Sequence, residues 1–222
     1  MDSSSRFIYL KTHEAFFKKN GRRFEYDKNQ YILRGDDPSI YVYFLTEGLA
    51  KLSFNGSRHD ERIIGYFLPG MNFAQTRSFF EADGGGLEYS TVERSILYRV
   101  TREDFLKELA SNSDFKDEYL QQLIRNQIFL LDRAIFIGEG DVYHRMVRWL
   151  LLMAKYYAVP VHKSFKITPE LTQSTICNFI HASRESVASA MRRLINEGAI
   201  TVEKRHITVN VEVCRNILSD ES

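Results

Sequence analysis

The stretch that most constrains this chain is residues 171–209, LTQSTICNFIHASRESVASAMRRLINEGAITVEKRHITV. Thr172 is placed to cap a short helix over 173–180, its hydroxyl taking an amide that has no partner inside the helix. His181, Ala182 and Ser183 break that helix, and a histidine tolerates the positive φ that such a turn asks for. A second helix opens at Ser183, carries Arg184 and Glu185 in its first turn and runs to Glu197, where Gly198 stops it. Val187, Ala190, Met191 and Leu194 fall at i, i+3, i+4 and i+7, which predicts one buried face. Arg184, Glu185, Ala188, Ser189 and Arg192 lie on a different arc, free to meet a partner. Two short helices with a tight turn, the second offering polar side chains from its N-terminal end, make the helix-turn-helix pattern that enters a DNA major groove. Two β-branched runs, 200–202 and 207–209, then flank Glu203-Lys204-Arg205-His206. They predict a hairpin with a basic tip, a wing suited to lie on phosphates.

Charge agrees with that pattern. Residues 142–218 hold eleven Lys and Arg against five Asp and Glu, a balance of +6 in a chain whose total is +1, which leaves −5 for the rest. The basic footprint of a nucleic-acid binder therefore sits on the stretch already singled out by pattern. At 222 residues the chain is long enough for one or two domains with sizeable cores. Cys177 and Cys214 are its only cysteines, so no disulfide framework or cysteine-rich metal site is expected, and a reducing cytoplasm fits. The first residues, MDSSSRFIYLKTHE, lack a basic-then-apolar leader, and the longest apolar run, near 149–154, is too short to span a bilayer.

From the start of the chain, residues 1 to about 20 predict an amphipathic helix ending at Asn20-Gly21. The period then shortens. Residues 24–26, 30–33, 41–45, 49–54, 62–67 and 91–100 are β-rich runs, separated by turn chemistry at 35–38, 46–48, 55–56 and 69–70. Strands of this length and spacing predict a small barrel or jelly roll. Residues 81–86, with three glycines, are expected to form a loop within it. Over 113–137 the period is helical, and Leu120, Ile124, Gln127, Leu131 and Ala134 follow the 4-3-4-3 spacing of a two-stranded coiled coil. Leu123, Leu130 and Ile137 form an adjacent stripe. One stripe is expected to pack on the roll and the other on a second copy, because a helix-turn-helix reader gains affinity and half-site spacing from two-fold symmetry. Residues 138–141 are predicted to be a hinge, and 144–157 a further helix.

This order resembles the bacterial cyclic-AMP receptor protein/fumarate–nitrate regulator (Crp–Fnr) family of transcription factors. The most specific points of likeness are Ser183-Arg184-Glu185-Ser186-Val187 and the run YFLTEGLAKLSF to IIGYFLPGMNF over 43–73, with Gly48 and Gly70 at its turns. The resemblance implies an α+β chain: a cyclic-nucleotide-binding-like β-roll (1–112), a long dimerisation helix (113–137), a hinge (138–141) and a C-terminal winged helix-turn-helix (142–222). It implies that Arg184 and Glu185 read a G and a C. Their chemistry suits this, since guanidinium forks onto guanine O6 and N7 and a carboxylate accepts from cytosine N4. The third base-reading position is Ser189, where arginine is common in the family, and serine lacks the bidentate fork. Thr172, Ser174, Ser183 and Ser186 match phosphate-holding positions. Arg192, Arg193, Lys204 and Arg205 are expected to join them. The implied partners are a pseudo-palindromic double-stranded operator, a second copy of the chain, and RNA polymerase if the protein activates.

The implied effector site departs from cyclic-nucleotide binders. Their Gly-Glu pair is replaced by Ala74-Gln75 after Phe73, and no Arg or Lys stands between Phe79 and Glu93. A ribose hydroxyl thus loses its charged acceptor and a cyclic phosphate its cation. The helix positions that usually offer hydroxyls to the base correspond to Leu130 and Leu131. Phe73, Ala74, Gln75, Leu130 and Leu131 are the expected pocket for another small molecule, if the protein takes one. A cyclic-nucleotide sensor of the same architecture is the first alternative, and a cupin-like enzyme the second. The latter needs inward His or carboxylate ligands, whereas the strand-rich run 23–100 holds only His59. No cofactor, metal ligand set or nucleophile–base pair is expected, and Cys177 is expected to pack rather than switch.

Overall fold

The strand Tyr41–Glu47 buries Val42, Tyr43, Phe44 and Leu45 in succession, as a strand does when both of its faces are covered. The computed structural model describes residues 9–35, 37, 40–55, 61–75, 78, 86–137 and 140–220, and the chain divides into two units, Phe7–Arg125 and Asn126–Ser222. In the first unit, β1 (Arg22–Tyr26), β8 (Ser95–Thr101), β3 (Tyr41–Glu47) and β6 (Asn72–Phe73) form one antiparallel sheet in that spatial order. A second holds β2 (Tyr31–Leu33), β7 (Leu87–Thr91), β4 (Ala50–Asn55) and β5 (Glu61–Phe67). Tyr43, Leu45, Leu97, Phe73, Ile32 and Tyr89 belong to one core. Val42, Phe44 and Val100 face the other way and join Leu10, Phe16, Phe17, Phe105 and Phe115 from α1 (Lys11–Asn20), α2 (Arg102–Ser111) and the start of α3 (Ser113–Ile137). The expected β-roll is therefore present, closed on one outer face by helices.

A buried polar knot ties those helices to the sheet. His13 is fully buried and stacks on Phe115, with ring centroids 3.5 Å apart. Its Nε2 lies 2.7 Å from the Phe115 carbonyl and its Nδ1 2.6 Å from Asn72 Nδ2. A neutral ring with the proton on Nε2 satisfies both contacts, and burial lowers its pKa accordingly. Gln122 of α3 accepts from the Asn72 amide at 2.9 Å and donates to its carbonyl at 2.8 Å, continuing β6 as a strand neighbour would. Glu118 receives the Thr12 and His13 amides at the N-terminus of α1, where a carboxylate is favoured.

Several elements differ from expectation. The single run over 91–100 is two strands, β7 and β8, separated at Val92–Arg94 by a turn. Ser95 Oγ and Val92 N fasten that turn to Leu49, and Gly48 lies so close that a Cβ there would meet the Arg94 carbonyl at 2.4 Å. Helix α2 goes unpredicted, although Thr101 caps it by accepting the Asp104 amide at 3.1 Å. The N-terminal helix is described from Lys11 onward. The glycine loop at 81–85 and His59 lie outside the described residues.

The second unit takes in the last three turns of α3. Phe129 meets Tyr156 and Tyr157 edge-on at 5.2 and 5.7 Å. Asp132 accepts from Lys155 Nζ and the Tyr156 hydroxyl at 2.6 and 2.8 Å, and the Arg133 guanidinium lies 4.4 Å from the Phe179 ring. These contacts explain why the division falls between Arg125 and Asn126, not at the predicted hinge. Residues 138 and 139 of that hinge lie outside the described residues. Next comes α4 (Val142–Tyr156), whose first turn is capped by Asp141 accepting the His144 amide at 2.9 Å. Strands β9 (Ala158–Val161), β10 (Ser164–Ile167), β12 (His206–Val209) and β11 (Ile200–Glu203) form a third antiparallel sheet. Helices α5 (Gln173–Ile180), α6 (Arg184–Asn196) and α7 (Val211–Ser219) complete the unit.

Candidate nucleic-acid interface

Helices α5 and α6 are set by local chemistry. Thr172 Oγ1 accepts the Thr175 amide at 3.1 Å, and Ser183 Oγ accepts the Ser186 amide at 3.1 Å. Between the helices, His181 adopts the left-handed conformation at φ 53° and ψ 56°, as its place at the turn predicts. At the far end, Gly198 has φ 71°, and the Ala199 amide closes back onto the Leu194 carbonyl at 2.9 Å.

The predicted two faces of α6 are present. Val187, Ala190 and Leu194 are buried and Met191 is half-buried, while Arg184, Glu185, Ser189 and Arg192 are exposed. Arg184 Nη2 donates to Ser174 Oγ of α5 at 3.1 Å. The guanidinium is thereby tied to α5 while Arg184 stays exposed. Thr172 and Ser183 are exposed, and Ser174 and Ser186 are half-buried.

The remaining basic positions divide. Lys204 sits at φ 58° in the β11–β12 turn, exposed beside Arg205. Arg205 Nη1 lies 3.8 Å from a Glu170 carboxylate oxygen. Arg193 is engaged more firmly: its Nε donates to Glu197 at 2.9 Å and its guanidinium lies 3.8 Å from the centroid of the Tyr143 ring. The Tyr143 hydroxyl donates to the same carboxylate. That hydrogen bond holds Glu197 below its ordinary pKa, and burial beside the carboxylate pushes the Tyr143 hydroxyl up. Arg193, though exposed, thus fastens the end of α6 to α4, and Arg192 is exposed beside it. Sequence reasoning missed β9 and β10, which turn the wing from a free hairpin into the outer half of a four-stranded sheet. Their signal was the alternation on either side of His162, which takes φ 52° in the turn.

The other candidate residues fall as follows. On α3, Leu120, Ile124, Gln127, Leu131 and Ala134 are all exposed. So are Leu123 and Leu130, which corrects the expectation that one of the two stripes packs on the roll. The buried stripe is instead Phe115, Tyr119, Gln122, Phe129 and Arg133. In the roll, Phe73 and Ala74 are buried and Gln75 is half-buried. Phe73 packs among the rings of Tyr43, Phe67 and Tyr89 at 5.0–5.6 Å, so aromatic carbon occupies that part of the interior. Cys177 is half-buried, and burial pushes the Cys214 thiol up to about 11. Among the described residues no three His, Cys, Asp or Glu are placed to share a metal ion, and no helix is long and apolar enough to cross a membrane.

Comparison with known proteins agrees with this geometry. A family model described as "Crp-like helix-turn-helix domain" matches residues 144–212, and one described as "Cyclic nucleotide-binding domain" matches residues 23–112. A "CRP-like cAMP-activated global transcriptional regulator" of Mycobacterium tuberculosis is 19% identical over 84% of this chain and 83% of its own. A "Global nitrogen regulator" of Synechocystis is 24% identical over 83% of each. Among solved structures, a mutant of CooA from Carboxydothermus hydrogenoformans superposes with a TM-score of 0.77 at 14% identity, covering 98% of this chain and 97% of that one.

Proposed function

Since the chain belongs to the Crp–Fnr family of transcription regulators and carries that family's DNA-binding helix-turn-helix, we propose that it binds a pseudo-palindromic operator as a homodimer. The two copies of α6 would enter major grooves one turn, roughly 34 Å, apart. Arg184 reads guanine, Glu185 accepts from cytosine and Ser189 gives a weaker third contact. Thr172, Ser174, Ser183, Ser186, Arg192, Lys204 and Arg205 hold phosphates, with Arg193 contributing least because Glu197 already occupies it. In functional terms the roll spans 1–112, the dimer helix 113–137, the joint 138–141 and the reader 142–222. Such a regulator works on DNA in the cytoplasm, meets RNA polymerase where it activates, and needs no catalytic group. The observation that carries this reading is the division of α6 into a buried Val187–Ala190–Leu194 side and an exposed Arg184–Glu185–Ser189–Arg192 side.

Arg184→Ala is expected to cost about 1–3 kcal/mol in operator affinity and to relax preference at one base pair per half-site. Quantitative footprinting on randomised half-sites measures both. Unchanged preference would mean that α6 docks in some other way.

The regulator is not proposed to answer to cyclic nucleotides. Ala74-Gln75 offers no carboxylate for a ribose, and the buried Gln75 Nε2 has no hydrogen-bond acceptor among the described residues. An unpaired buried donor is unfavourable, and a neutral effector presenting an oxygen would supply the missing partner. Calorimetry with cyclic AMP and cyclic GMP should give no binding heat, whereas saturable heat with either would restore the cyclic-nucleotide alternative.

A further inference from the structure

At the edge of the roll's first sheet, register places two arginines opposite each other. Arg22 of β1 faces Arg99 of β8, and Arg99 faces Tyr43 of β3, which in turn faces Phe73 of β6. Residues directly opposite in antiparallel strands share a face, so these four side chains form one row across the sheet. Like charges opposite each other destabilise a strand pair. Both guanidiniums lie over the Phe24 ring, at 5.1 and 4.4 Å from its centroid, and Arg99 also lies 4.1 Å from the centroid of Tyr41. Two aromatic rings thus lie against the half-buried Arg99. No acid neutralises the pair among the described residues. Glu25 and Glu47 face Ile96, on the other side of the sheet, and Glu25 is already taken by Arg23 and Arg94. Arg99 also donates a hydrogen bond to the buried Tyr43 hydroxyl, which with its charge opposes the effect of burial there, and its charge does the same at the half-buried Tyr26 hydroxyl.

We propose that this edge binds a small oxyanion, a carboxylate or a phosphate, held by the Arg99 fork with Arg22 beside it. A guanidinium packed against rings keeps N–H groups besides the one given to Tyr43, and a planar pair of them matches two oxygens of one anion. Aromatic walls restrict its rotation, so little side-chain freedom is lost on binding. The anion removes the repulsion that the bare sheet carries. The site adjoins the effector pocket proposed around Phe73: Arg99 stands two strand spacings from β6, about 10 Å, with Tyr43 between them. All its residues belong to the first unit, so its test reads different residues from those that test DNA recognition.

The test uses the full chain with ¹⁵N-labelled arginine, titrated with sodium benzoate and with inorganic phosphate against chloride at matched ionic strength. The expected result is a saturable shift of the Arg99 and Arg22 Nε–Hε resonances with at least one of the two probes. Response to benzoate alone assigns the site to carboxylates, and response to phosphate alone assigns it to phosphates. Arg99→Gln should weaken binding by about tenfold or more, and Arg22→Gln by a smaller factor. Because each variant removes a like-charge pair, neither should lower the melting temperature. Should Arg99→Gln fail to fold, Arg22→Gln alone decides, through a weakened titration of Arg99. Absence of a saturable shift, an equal response to chloride, or an Arg22 titration that survives Arg99→Gln would overturn the proposal.

Discussion

Replacing Ile124 and Leu131 together with Asp is expected to make the protein monomeric and to weaken operator binding by about 10²–10⁴-fold, the size of the advantage that linking two half-site readers confers. Within a single chain these side chains are 57% exposed each, and Ile135, one turn beyond Leu131, is 61% exposed. Leu120, Ile128 and Leu130 are exposed beside them. A row of bare apolar side chains along one helix is the signature of a surface that meets another, and in the proposed homodimer that other surface is a second copy of the same helix, which the 4-3-4-3 spacing suits. Four carboxylates placed in such a seam would be desolvated without partners, which no coiled coil of this length tolerates. Because neither position is buried within the chain, each unit should keep its fold. Sedimentation equilibrium and circular dichroism together separate these outcomes, and a double variant that remained dimeric would remove α3 as the interface.

The same helix shows what the sequence could and could not disclose. Its exposed seam was legible because, Gln127 apart, it is apolar at a coiled-coil period. Its buried stripe was not, because Gln122 and Arg133 interrupt it with polar side chains. Both are accommodated by specific partners: Gln122 by the backbone of Asn72, and Arg133 by the face of Phe179. Neither partner is near in sequence, so no window of periodicity reveals the pairing. For the same reason the division of the chain inside α3 was hidden, since it depends on Phe129, Asp132 and Arg133 finding Tyr156, Lys155 and Phe179.

Where structure is dictated locally, the sequence was sufficient. Thr172, Ser183, His181 and Gly198 each act within a few residues of themselves, and each does in three dimensions what its type and place predicted. The roll lies between these cases. Its long strands announced themselves by β-branched and aromatic content. The two-residue β6 did not, because Asn72 and Phe73 are a strand only by virtue of Tyr43 and Phe44 beside them. The turn between β7 and β8 was missed because its fastening, Ser95 to Leu49, crosses half the roll. Among the candidate DNA contacts, Arg193 is held within the chain by both an ion pair and a ring. A charge on the outer side of a helix was read as free, yet Glu197 lies four residues on, and Tyr143 comes from another helix entirely.

Leu194→Ala is expected to abolish DNA binding at moderate temperature without altering any group that faces DNA. Leu194 is fully buried on the inner side of α6, and deleting its branched end leaves a cavity that costs about 2–5 kcal/mol. A domain of this size has only about 5–15 kcal/mol of stability in total, so the reader should melt well below its normal temperature. The chain's single tryptophan, Trp149, lies in the same unit with its ring 5.9 Å from Phe179, and its fluorescence therefore reports the melting of the reader alone. The contrast with Arg184→Ala is the informative part. Loss of Arg184 should leave the tryptophan transition where it is and change which sequences are bound. Loss of Leu194 should move the transition and, in whatever folded fraction remains, leave base preference intact. If Leu194→Ala kept the transition in place, α6 would not be anchored by that side, and the opposite side would lose its claim to the DNA.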